Sequence, residues 1–123
     1  MERIKALIEE AGVHKIVGDL FTRKPPGLRF NETDAVVVTA RADDGRVVTT
    51  TFYFCLKPDG TFEEECLGTD ASRARRHQLA SFLRYYKIAE DVGAYNLKDK
   101  VGEWIGKAVE VLFVEKGAII YVP

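Results

Sequence analysis

Two runs rich in Val, Thr, Tyr and Phe, Ala35–Ala42 and Arg46–Leu56, flank Asp43-Asp44-Gly45. Strand formers on both sides of an Asp-Gly pair are a strong hairpin signal. This pattern rules out an all-helical fold. Lys57-Pro58-Asp59-Gly60 has the composition of a second turn and leads into a third strand, Thr61–Leu67. Three strands in succession make an antiparallel meander.

Register decides which side chains share a face. A two-residue turn at Asp44-Gly45 places Val36, Val38, Ala40, Thr51, Tyr53 and Cys55 together, with Phe62 and Cys66 from the third strand. Val37, Thr39, Arg41, Thr50, Phe52 and Phe54 then share the other face with Glu63 and Glu65. If that second face is open, Phe52 and Phe54 form a stacking platform edged by Arg41 and Thr50. If it is covered, both rings are core. A one-residue slip inverts the assignment.

The flanks read as follows. Ile4, Leu7, Ile8 and Ala11 recur at helical spacing, as do Val13, Ile16, Val17, Leu20 and Phe21. They predict two short helices, or one bent at Gly12. Thr22–Arg29 holds a proline pair and a glycine and reads as an extended loop. Asp70 is placed to cap a helix running to about Ala89. Asn96-Leu97-Lys98-Asp99 has the form of a capping box opening a short helix with Leu97, Val101, Trp104 and Ile105 as its apolar face, and Gly106 ends it. Ala108–Val114 and Ala118–Val122 form a last hairpin around Glu115-Lys116-Gly117. The expected fold is α+β: an antiparallel β-meander with helices packed on one face and a C-terminal β-hairpin, in a single domain over residues 1–123.

Composition is that of a globular chain, 46% apolar and 30% charged. No apolar stretch approaches the length of a membrane span, and the charged start MERIKALIEEAG is not a signal-peptide core. The expected location is cytoplasmic, so the sequon Asn31-Glu32-Thr33 reads as chance. With Lys57–Gly60 as the turn, Cys55 lies opposite Phe62, and the Cys55 and Cys66 thiols sit about 13 Å apart. That is too far for a disulfide, and reduced thiols are expected. Abundant charge with scarce Asn, Gln, Met and Cys points to a thermophilic source.

Net charge is only −1, yet the stretch Ala71–Ala89 carries five cations, Arg73, Arg75, Arg76, Arg84 and Lys87, and no acid. At 100° per residue, Arg73, Arg76, His77, Arg84 and Lys87 fall on one face. Leu79, Phe82, Leu83 and Tyr86 fall opposite, as a stripe to dock on the sheet. Arg75 lies on the apolar side, which suits an interface or a buried pair. Such segregated charge builds a local field that suits a phosphate-bearing partner. A solvated helix face is the alternative. The loop Phe21–Phe30 adds Arg23, Lys24 and Arg29 beside Phe30 and Phe21. Cations that track phosphates, with rings that stack bases, suit single-stranded nucleic acid. Phe21 and Phe30 read equally well as core anchors.

Enzyme signals are weak. Gly102–Lys107 has one residue too few for a P-loop and lacks the closing Ser or Thr. No HExxH or GxSxG occurs, and the two histidines, His14 and His77, have no partners spaced for zinc. No cofactor, metal or catalytic residue is expected.

The helical start, the loop Arg23–Phe30, the Phe-rich hairpin at Thr50–Phe54 and the helix Arg73–Lys87 give a layout that resembles the ThermoDBP-related single-stranded DNA-binding proteins of hyperthermophilic archaea. The resemblance implies sequence-tolerant binding and a homo-oligomer, a dimer or tetramer. This chain departs from members that end in a leucine zipper, since Ala118–Pro123 has no heptads. The expected function is binding of single-stranded DNA or RNA. Arg23, Lys24, Arg29, Arg41, Arg73, Arg76, His77, Arg84 and Lys87 supply positive charge, Phe30, Phe52, Phe54 and Tyr85 stack, and Arg75 serves an interface. The rival expectation is an assembly module whose basic helix pairs with the Glu63–Glu65 strand of a partner chain.

Overall fold

A computed structural model of the protein describes residues 2–19, 33–54, 56–62, 70–115 and 117–123, without the side chains of 70–77. Its strands are β1 (Glu2–Lys15), β2 (Asp34–Ala42), β3 (Val47–Phe54), β4 (Ala108–Val114) and β5 (Gly117–Ile120). Its helices are α1 (Asp70–Tyr85) and the single turn α2 (Leu97–Lys100), with 3-10 turns at Val92–Ala94 and Val101–Trp104. The strands form one antiparallel sheet in the order β3-β2-β1-β4-β5. The two outer strands approach each other, and the buried Thr50 Oγ1 accepts from Ile120 N at 2.9 Å. The sheet therefore nearly closes on itself. The architecture is mixed α and β, dominated by strands.

The start of the chain corrects the helical reading. β1 is the central strand, paired with β2 on one side and β4 on the other. Its inward residues are Ala6 and Ile8 before a bulge between Ile8 and Glu10, and Ala11 and Val13 after it. The extra residue switches the parity of the inward positions. Ile8 and Ala11 thus sit three apart on one face, the spacing that imitates a helix. Leu7, counted in the apparent helical stripe, is 52% exposed.

The first hairpin corrects the register. Ala42 N donates to Arg46 O at 2.8 Å, and Gly45 N donates to Ala42 O at 2.9 Å. Gly45 has φ 91°, so three residues, not two, make the loop, with glycine in the left-handed position. Val36, Val38 and Ala40 consequently oppose Phe52, Thr50 and Val48. All six point into the core, and Thr51 and Tyr53 move to the outer face. The next turn is displaced likewise: Leu56, not Cys55, bridges Phe62. Cys55, Cys66 and Glu63–Glu65 lie outside the described residues.

α1 lies on the inner face of the sheet. Leu79, Phe82 and Leu83 are fully buried, as the apolar stripe requires. Phe82 is the hub, with ring centroids 5.0 Å from Phe52 and 5.4 Å from both Trp104 and Tyr86. Ile88 N donates to Leu83 O at 2.8 Å and Lys87 N to Arg84 O at 3.1 Å, with Lys87 at φ 56°. This is a Schellman ending, and it stops the helix before the expected Ala89. Asn96 caps α2: its side chain accepts from Asp99 N at 3.1 Å. Asn96 Nδ2 also donates to Asp59 O at 3.1 Å, tying α2 to the Lys57–Gly60 turn. Gly60 has φ 89°, and a Cβ there would lie 2.2 Å from Asn96 Oδ1, so only glycine fits.

Candidate nucleic-acid interface

The burial of one face of α1 sets the other outward. Arg84 and Lys87 are exposed, as the helical wheel requires. Tyr85 is 41% exposed. The backbone of α1 carries positions 73, 75, 76 and 77, but the side chains of Arg73, Arg75, Arg76 and His77 lie outside the described residues. So do Arg23, Lys24, Arg29 and Phe30 in full.

Phe52 and Phe54 are not a stacking platform. They are 2% and 0% exposed. Phe52 packs on Phe82, and Phe54 meets Phe62 edge-on at 6.0 Å. The three-residue hairpin loop turned them inward, and α1 covers that face. A fully buried ring offers no face to a base.

Arg41 stays outside but is occupied. Its Nε pairs with Glu9 and its Nη1 donates to Gly45 O at 3.1 Å. Arg46 is held by Asp44 and by Glu2 at 2.8 Å, with its guanidinium 3.6 Å from the Phe113 ring centroid. Asp44 is held below the usual carboxylate range by its hydrogen bonds from Arg46. Arg41 and Arg46 are thus matched to carboxylates.

At the C-terminal end of α1 the structure assembles a group that sequence analysis did not foresee. The Tyr85 ring lies 4.8 Å from Tyr86 and 5.9 Å from Tyr121, both edge-on. Arg3 sits 4.6 Å from the Tyr121 ring centroid and pairs with Glu110 at 2.9 Å. Tyr86 Oη donates to Tyr121 O at 2.6 Å and accepts from Glu110 N at 3.2 Å. Tyr86 so pins the helix end to the place where β5 leaves β4. Burial pushes the Tyr86 hydroxyl up to about 12. Lys5 lies beside this group on β1. Arg3 and Lys5 alternate with Ile4 and Ala6, a period-two signal masked by the helical reading of the same segment.

A cleft of about 620 Å³ opens here, walled by Lys5, Leu7, Asp43, Tyr85, Tyr86 and Glu110. Lys15 and Asp34 pair at the other end of β1, ten residues along the strand from Lys5, and Arg23–Phe30 lies outside the described residues.

Among the described residues no His, Cys, Asp and Glu cluster could hold a metal, and no helix is long and apolar enough to cross a membrane. No protein-family model, curated protein or solved structure matches this chain. Of the features behind the ThermoDBP-related resemblance, the helical start is a strand and the hairpin phenylalanines are core.

Proposed function

We propose that the protein is a non-catalytic, sequence-tolerant binder of single-stranded nucleic acid, with the outward side of α1 as its contact surface. The observation that carries this reading is the two-sided character of α1. Leu79, Phe82 and Leu83 are consumed by the core, while Arg84, Tyr85 and Lys87 remain at the surface of a stretch with five cations and no acid. Cations there meet phosphates, and Tyr85 offers a ring for stacking, worth about 1–3 kcal/mol per base. Tyr121 extends the surface onto the sheet. Arg23, Lys24, Arg29 and Phe30 supply a second contact, cytoplasmic DNA or RNA the ligand, and a homo-oligomer the means of lining a longer strand. Phe52, Phe54 and Arg41 have no part in it.

The test is fluorescence anisotropy with a labelled single-stranded oligonucleotide, its duplex and the RNA equivalent, at about 50 and 200 mM salt. Neutralising six or more phosphates of a single strand predicts at least about a three-hundredfold loss across that range. Single strands should bind more tightly than duplex, because bases must be unpaired to stack. Affinity flat in salt, or a duplex preference, overturns the reading.

A further inference from the structure

The cleft at the end of α1 has chemistry that a phosphate-tracking surface does not need. Its lining includes the exposed Tyr85 and Leu7 together with the charged residues Lys5, Asp43 and Glu110. Each wall is held in place. Asp43 N donates to Lys5 O at 2.9 Å, fixing the hairpin tip against β1. Glu110 is held by Arg3, and Tyr85 is braced edge-on by Tyr86 and Tyr121. Carboxylates repel phosphate, so the acids fit poorly with a purely electrostatic site.

We propose that this cleft seats one nucleotide of the bound strand and favours bases that carry an exocyclic amino group. The inference rests on the single-strand reading above. The base lies between Tyr85 and Leu7, flat apolar surface against a planar ring. Its phosphate meets Lys5. Asp43 and Glu110 can only accept hydrogen bonds when ionised. The amino groups of cytosine, adenine and guanine donate to them, as carboxylates do read cytosine elsewhere. Thymine and uracil present carbonyl oxygens on both sides of one imide N–H, and these are repelled. The volume of about 620 Å³ is large enough to admit a nucleotide.

The test compares dC10 with dT10 on the full chain by anisotropy at fixed salt. Wild type should bind dC10 about tenfold more tightly, the discrimination of one good amino–carboxylate contact. Asp43→Asn, whose amide both donates and accepts, should bring the ratio close to one. Its turn position suits asparagine, and an unchanged circular dichroism spectrum verifies folding. Tyr85→Ala should weaken both strands, and Tyr85→Phe should restore them. Equal affinity of wild type for dC10 and dT10 overturns the pocket and leaves the strand reading standing, as does an unchanged ratio in Asp43→Asn. No binding of either strand overturns both. Cytidine monophosphate competing as well as dC10 makes the cleft a mononucleotide site and overturns its assignment to a strand.

Discussion

The outer face of the sheet and the stretch of α1 both carry arginines, but they differ in what accompanies them. On the sheet, Arg3 has Glu110, Arg41 has Glu9, and Arg46 has Glu2 and Asp44. Along Ala71–Ala89 there is no acid in the sequence at all. A cation beside a carboxylate contributes little field at a distance, since the pair is close to a neutral dipole. Five cations with no acid interleaved along the chain give that stretch a net positive charge. Counting arginines therefore overstates the sheet, and the whole-chain charge of −1 understates the helix.

The comparison can be broken most strongly at the joint between the two regions. Phe82→Ala removes the ring that Phe52, Trp104 and Tyr86 share. It should cost about 4 kcal/mol in a denaturant titration and loosen α1 from the sheet. A loss under about 1 kcal/mol would mean that the helix is anchored elsewhere. Next comes charge itself. Changing Arg73, Arg76 and Arg84 together to Glu should weaken single-strand binding at least a hundredfold and flatten its salt dependence, with the circular dichroism spectrum unchanged. Retained binding would take the helix out of the interface.

A smaller effect separates fold from function at one residue. Lys87 occupies a left-handed position that costs a non-glycine residue about 1 kcal/mol. Lys87→Gly should raise stability by about that amount while weakening strand binding a few fold. Gains in both would place Lys87 outside the contact surface. The smallest effect belongs to the sheet. Arg41→Ala should change strand affinity by less than about twofold, because Glu9 already neutralises that guanidinium. A tenfold loss would erase the distinction between the two regions.

Local chemistry carried much of the fold. The Ala108–Val114 hairpin, the cap at Asn96, the left-handed Gly106 and the buried stripe Leu79, Phe82 and Leu83 follow from short-range rules and stand in the structure. Ile105, expected on the apolar face, is instead 57% exposed, and most of the expected strand Thr61–Leu67 lies outside the described residues. Two larger failures depend on one residue more or fewer. A bulge near Glu9 made a strand imitate a helix, and a third loop residue at Asp43-Asp44-Gly45 turned Phe52 and Phe54 inward. Period-two and period-3.6 patterns are confused by a single insertion, and a single slip reverses a strand's faces.

The site divides along the same line. That Ala71–Ala89 is basic, and that one helical face must be apolar, is settled by the chain alone, because charge and periodicity are properties of sequence. Which aromatic rings remain exposed is a different kind of question. Tyr85 is at the surface and Phe52 and Phe54 are not, because α1 packs on one side of a nearly closed sheet and ends at Tyr85, before the left-handed Lys87. The meeting of Tyr85 with Arg3, Lys5 and Tyr121 joins the two ends of the chain to its helix. Only strand pairing across the whole sequence brings those residues together, so no local rule could have placed them.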